Sequence, residues 1–150
     1  MAETATAARY RALVTQLTQA GSEAWGTRIY NMQAPPNAQR PYVVIVPASD
    51  IDPLWSRVPG DMAVDYVKCI ADDMITAMTG AGRIQQLLHD AGVNDNALPG
   101  YGPPSQLAGG ASWQILTATH ISAIHLVENV EGQRSIYTDG GQYRFRMERV

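Results

Sequence analysis

The sequence predicts an α+β domain: a mainly antiparallel sheet of about four strands with two helices packed on one face, in the order αββαββ. Two segments show apolar residues at helical spacing, one near the N-terminus and one in mid-chain. Four further segments are rich in β-branched and aromatic residues. Those strand segments come in consecutive pairs rather than alternating with helices, which favours antiparallel pairing over βαβ units. The 150 residues fit one domain, 1–150.

In the first helix Tyr10, Leu13, Val14 and Leu17 make one narrow apolar stripe, with Arg9, Arg11 and Gln16 elsewhere and Gly21 as the stop. The narrow stripe predicts a helix lying on a surface. The stretch from Trp25 to Arg40 reads as irregular, because Ala34-Pro35-Pro36-Asn37 cannot form a central strand. Pro41-Tyr42-Val43-Val44-Ile45-Val46 reads as a buried strand whose pairing ends on one side at Pro47. Asp50 to Asp61, with Pro53 and Pro59-Gly60, reads as a loop.

The second strand, Met62 to Ala71, has two faces: Ala63, Asp65, Val67, Cys69 and Val64, Tyr66, Lys68, Ile70. One polar residue on each predicts that neither lies wholly in a core. The second helix runs from Met74 to Ala91, with Met74, Met78, Ala81, Ile84, Leu88 and Ala91 in its stripe. Gly80 and Gly82 weaken it by roughly 1 kcal/mol each and predict a bend. A long Gly/Pro-rich loop follows at about 93–112, the length expected of a functional or disordered segment. The last two strands are Thr117 to Glu128 and Gln142 to Arg149, separated by a turn signal at Asp139-Gly140-Gly141 and a short strand at Ser135-Ile136-Tyr137.

The formal net charge of −3 speaks against phosphate-driven nucleic-acid binding and against an anionic membrane surface, and the low charged fraction, 17%, suits permanent protein contacts. The single cysteine, Cys69, excludes an intrachain disulfide and points to a reducing compartment. The N-terminus lacks the apolar core of a secretory signal, and no stretch reaches a membrane span, so the chain reads as soluble.

No catalytic, cofactor or metal motif is legible. His120 and His125 are an odd number apart on a strand and should point to opposite faces, and His89 suits a helix C-terminus. Cys69 reads as a buried inert thiol, and Asp72-Asp73 as helix-starting carboxylates. Gly80-Ala81-Gly82 lacks the context of a dinucleotide loop. Arg144 and Arg146 share one strand face and read either as a solvated face or as a polar subunit contact. Trp55, beside Leu54 and Val58, is read more readily as a partner anchor than as a locally buried side chain, and Tyr101 raises the same question.

The succession Arg28-Ile29-Tyr30, Ala34-Pro35 and Arg40-Pro41-Tyr42-Val43-Val44-Ile45 follows a short amphipathic helix. It precedes a strand, a helix ending in Leu87-Leu88 and two strands ending in Tyr143-Arg144-Phe145-Arg146. Over nearly the whole chain this resembles the tail-completion family of long-tailed bacteriophages, the tail terminators or tail-to-head joining proteins. The resemblance implies a non-enzymatic virion protein of the tail neck, assembled in the host cytoplasm and without a cofactor. It implies a homo-oligomeric ring, commonly a hexamer, capping the head-proximal end of the tail tube. The implied partners are the tail tube protein and a head-completion or connector protein. DNA would pass through the lumen unbound, and no membrane is involved. Interface residues on this reading are Leu54, Trp55, Arg57, Val58, Tyr101, Arg144 and Arg146. Two alternatives stand beside it. One is another neck component, a head-closure (stopper) or connector protein. The other is a small cytosolic enzyme, which would require His125, Asp65 or Tyr66 to converge in a deep pocket.

Overall fold

A computed structural model describes residues 5–18, 23–51, 60–88, 113–128 and 135–149. The elements are α1 (Ala5–Thr18), β1 (Ile29–Asn31), β2 (Tyr42–Ile51), β3 (Gly60–Ala71), α2 (Met74–Leu88), β4 (Trp113–Glu128) and β5 (Ile136–Arg149). They form a five-stranded sheet in the order β1-β2-β3-β5-β4, antiparallel except for the β1–β2 pair. Both helices pack on one face, as the sequence predicts.

The additional strand is β1. Its three residues are too few to show a period, and only pairing with Val43–Ile45 makes them a strand. Asn31 is followed by Met32 at φ 64°, whose amide donates to the Ile45 carbonyl at 2.8 Å and closes the β1 ladder. Beyond that point, among the described residues, β2 has a neighbour only on the β3 side. There Pro47 pairs opposite Asp65, and the strand continues past a bulge between Pro47 and Ser49 to Ile51.

The core joins α1, α2 and one sheet face. Leu13, Leu17, Trp25, Val43, Ile45, Val67, Cys69, Ile84, Leu88, Tyr143 and Phe145 are each at most 1% exposed. The first helix is therefore not a surface helix. Its buried side is Ala8, Arg9, Ala12, Leu13, Gln16 and Leu17, and Tyr10 and Val14 lie only at the margin. The polar members of that stripe are satisfied from a distance in sequence. Arg9 Nε and Nη2 donate to the two carboxylate oxygens of Asp65 at 2.7 and 3.1 Å. Gln16 Nε2 donates to the Leu87 carbonyl at 2.9 Å, in the last turn of α2. Consequently the Ala63, Asp65, Val67, Cys69 face of β3 is wholly core, because its one carboxylate has a buried partner. Trp25, in the turn before β1, is 1% exposed and donates its indole N–H to the Leu17 carbonyl at 2.9 Å, an acceptor in the last turn of α1.

The second helix buries Ala77, Gly80, Ile84, Leu87 and Leu88, so Ile84 and Leu88 face inward as predicted whereas Met74 and Met78 do not. It runs through Gly80 and Gly82 without a break. A Cβ at Gly80 would overlap Cys69 Sγ and lie 2.9 Å from Cys69 Cβ, so glycine lets the helix axis approach the sheet. Asp139-Gly140-Gly141 is not a turn. These residues sit inside β5, paired with Cys69, Lys68 and Val67 on one side and with His125, Ile124 and Ala123 on the other. The short strand read at 135–137 is the start of that same strand. A Cβ on Gly140 would be 2.7 Å from Lys68 Cα, and one on Gly141 would be 2.6 Å from the His120 ring, so close approach explains the pair.

Candidate subunit interface

Sheet order makes β4 an edge strand, 16 residues long, whereas the opposite edge, β1, has three. From Trp113 to Val127 the strand contains no Lys, Arg, Asp, Glu, Pro or Gly. The usual devices that keep an exposed edge from pairing are charge, proline, shortness and bulges. Only bulges are present, between Ile115 and Thr117 and between His120 and Ser122.

Beside this edge lies the outer side of α2. Asp73 starts the helix: its side chain accepts the Thr76 amide at 2.8 Å and the Thr76 hydroxyl at 2.6 Å. Those bonds, the hydroxyl's foremost, hold the Asp73 carboxyl below the ordinary carboxylate range. Asp72 instead pairs with Arg40 Nε at 2.6 Å. With small residues turned to the sheet, Met74, Ile75 and Met78 face outward at 51%, 77% and 52% exposure. On β4, Ile121, Leu126 and Val127 are 45%, 48% and 52% exposed. Among the described residues, every exposed large hydrophobic except Met32 therefore lies on α2 or β4. An apolar groove of about 350 Å³ separates the two elements, lined by Met74, Met78, His125, Leu126, Val127 and Tyr137 among others. Its polar point is His125 Nδ1, 2.9 Å from Asp139 Oδ2.

The face of the sheet away from the helices is uncovered among the described residues. Arg144 and Arg146 are exposed there, charged side outward as the alternation predicts. Nearby, Gln142 Nε2 donates to the Tyr66 hydroxyl at 2.8 Å, and Lys68 Nζ stands 5.7 Å from the Tyr66 ring centroid. Met32 and Ala34 beyond β1 share a hollow of about 230 Å³ with Leu126 of β4, so the sheet curls around this face. Leu54, Trp55, Arg57, Val58 and Tyr101, together with His89 and the 93–112 loop, lie outside the described residues.

The histidine geometry differs from the expectation. Register places His120 opposite Tyr143 and His125 opposite Asp139, both on the helix-bearing face. The bulge between them absorbs one residue and reverses the parity. They remain too far apart for one ion, about 13 Å along the strand. Among the described residues no group of three or more His, Cys, Asp or Glu is placed to hold a metal.

The constellation an enzyme would need does not assemble. Asp65 is locked to Arg9 under α1, Tyr66 points to the uncovered face, and His125 stands at the sheet edge. Cys69, Asp139 and His125 lie side by side across β3, β5 and β4, with the carboxylate between thiol and imidazole. That order sets the carboxylate, and not the imidazole, beside the sulfur. Burial, with the nearby Asp139 charge, pushes the Cys69 thiol up to about 12, so it stays protonated at neutral pH.

Sequence reasoning assigned Met74 and Met78 to the buried stripe and did not recognise Trp113–Val127 as an edge. The legible signal was its unbroken lack of charge, because a buried central strand and an adhesive edge strand both lack charge.

No family model matches the chain, and no curated protein matches it. Among solved structures, the fold is similar to a chain in the virion of a native gene transfer agent particle, with a TM-score of 0.59 and 18% identity over 90% of this chain and 91% of that one.

Proposed function

We propose that this protein is a structural component of a phage-like virion, and that it acts as a ring-forming tail terminator. The observation that carries the reading is the fold similarity to a virion chain, which extends over 90% of this chain and 91% of that one. Two features support it. The motif order resembles the tail-completion family, and the α2–β4 surface concentrates exposed apolar side chains around one polar point, as suits a subunit contact.

On this reading the whole chain acts as one unit and copies of it close a ring, six being the commonest number in the family. One ring face docks on the end of the tail tube and stops its growth, because it does not reproduce the face a further tube subunit would need. The other face receives the head connector, and DNA passes through the lumen. Leu54, Trp55, Arg57, Val58, Tyr101, Arg144 and Arg146 are proposed contact residues. Function is assembly by surface complementarity, with no reaction step.

The test is to add purified protein to growing tail tubes and image the ends. Rings at one end with arrested growth are expected. A protein that never caps tubes, and instead co-purifies with heads that lack tails, would reassign it to head closure or the connector.

A further inference from the structure

We infer that the free protein pairs with a second copy of itself through the β4 edge, antiparallel and about a two-fold axis at His125. The edge must find a strand or be screened from one. Within this chain it cannot be matched by β1, whose three residues end at the left-handed Met32. Successive copies therefore cannot join β4 to β1 over any useful length. Among the described residues, the only long edge without Lys, Arg, Asp or Glu over most of its length is β4, so its match is another β4.

The bulge between His120 and Ser122 bends the strand and interrupts its ladder. The regular portion beyond it runs from Ser122 to Glu128. Full antiparallel overlap of that portion with its copy sets the register. His125 faces the copy's His125, Ile124 faces Leu126, and Ala123 faces Val127. Ile124 is half-buried, and Leu126 and Val127 are about half exposed, so these apolar pairs cover surface that is open in the single chain. Ser122 to Val127 carries no charged side chain, so no like charges oppose one another. Each His125 keeps its own Asp139 as partner. Free of Lys, Arg, Asp, Glu, proline and glycine, and with Ile124 and Val127 β-branched, the segment is compatible with its own copy in the way that drives strand self-association.

A two-fold pair points its two copies in opposite directions, so it is not the contact that closes a ring of like-oriented subunits. It is a state of the free protein that must part before such a ring forms, and it stands whether or not the tail-terminator reading holds.

Cysteine placement in the full chain tests it, since the native Cys69 is buried. Directly opposed residues on paired strands have Cα atoms about 4.5–5.5 Å apart, within disulfide reach. Under mild oxidation His125→Cys is expected to form a covalent dimer. Ala123→Cys and Val127→Cys are each expected to remain uncrosslinked alone, because each lies about 13 Å from its own counterpart. Mixed together, they should crosslink to each other. Asn37→Cys, exposed beyond β1, serves as the negative control. Leu126→Lys should weaken association of the otherwise unmodified protein at least tenfold by sedimentation, with an unchanged circular dichroism spectrum. Equal self-crosslinking at 123, 125 and 127 would mean parallel pairing and overturn the proposal. Unmodified protein that sediments as a monomer and crosslinks at none of these positions would also overturn it.

Discussion

Replacing Asp65 with Ala removes the carboxylate that neutralises a buried guanidinium. The Arg9 and Asp65 side chains are 1% and 2% exposed, and two nitrogen–oxygen contacts of 2.7 and 3.1 Å join them in a bidentate pair. Arg9 Nη1 also meets Met147 Sδ at 3.8 Å, a weak acceptor for a full charge. Loss of one partner of such a pair costs about 3–5 kcal/mol, roughly a fifth or more of a typical stability of 5–15 kcal/mol. For a chain of this size that lowers the melting temperature by about 10 °C. Urea titration of Asp65→Ala measures it, and burial predicts little dependence on added salt. The double substitution Arg9→Met with Asp65→Leu removes both charges and fills the space. It should recover stability to within about 1 kcal/mol of the parent or better. A single-variant loss below about 1 kcal/mol would refute the claim that the pair is dry, and so would a double variant as unstable as Asp65→Ala. The half-exposed Arg40–Asp72 pair is the internal contrast: Arg40→Ala should cost less than about 1 kcal/mol.

The two glycines of α2 should respond oppositely. Gly80→Ala drives a methyl into Cys69 and should lower the melting temperature, whereas Gly82→Ala, with nothing within 4 Å, should raise stability by about 1 kcal/mol. Asp73 is held below its ordinary pKa, so its contribution is present above about pH 4 and is lost as pH falls through the lowered value. Asp73→Ala should accelerate hydrogen exchange at the Thr76 amide, whereas Asp73→Asn should keep the cap and flatten that acid limb. For Cys69, raised from 9.0 to about 12, the sign is reversed. Stability should hold below pH 9 and decline by up to about 1.4 kcal/mol per pH unit above it, as the unfolded thiol ionises first. Cys69→Ala should remove that part of the alkaline decline in a denaturation series.

The α+β class and the positions of both helices were legible because they rest on local periodicity. Errors arose where a partner far along the chain decides burial. Arg9 and Gln16 read as surface because they are polar, yet Asp65 and the Leu87 carbonyl make their burial affordable. Met74 and Met78 read as core because they are apolar, but α2 approaches the sheet too closely for large side chains and turns Ala77 and Gly80 inward. Asp139-Gly140-Gly141 carries a turn signature, and only the approach of β3 and β4 on either side shows why a strand keeps those glycines. The bulge that brings His120 and His125 to one face has no signature in the sequence. The outward placement of Arg144 and Arg146 was legible from alternation alone. The α2–β4 surface was not, because edge position is a property of strand order.

Unequal sheet edges also limit how a ring of this chain can be held together. Like-oriented neighbours meet through two different surfaces, and backbone pairing between β4 and a three-residue β1 offers almost nothing. On the ring reading, side-chain contacts are the proposed means of closure, and among the described residues α2 supplies the most exposed large apolar candidate, Ile75 at 77%. Ile75→Glu leaves the core untouched and should change the stability of the single chain by no more than about 0.5 kcal/mol. A carboxylate in a subunit contact would be desolvated without a partner, which is enough to abolish ring formation and tube capping. Electron microscopy of the variant with tube ends, beside a urea titration, separates the two effects. Normal capping by a stably folded Ile75→Glu protein would remove α2 from the ring contact and leave closure to other surfaces.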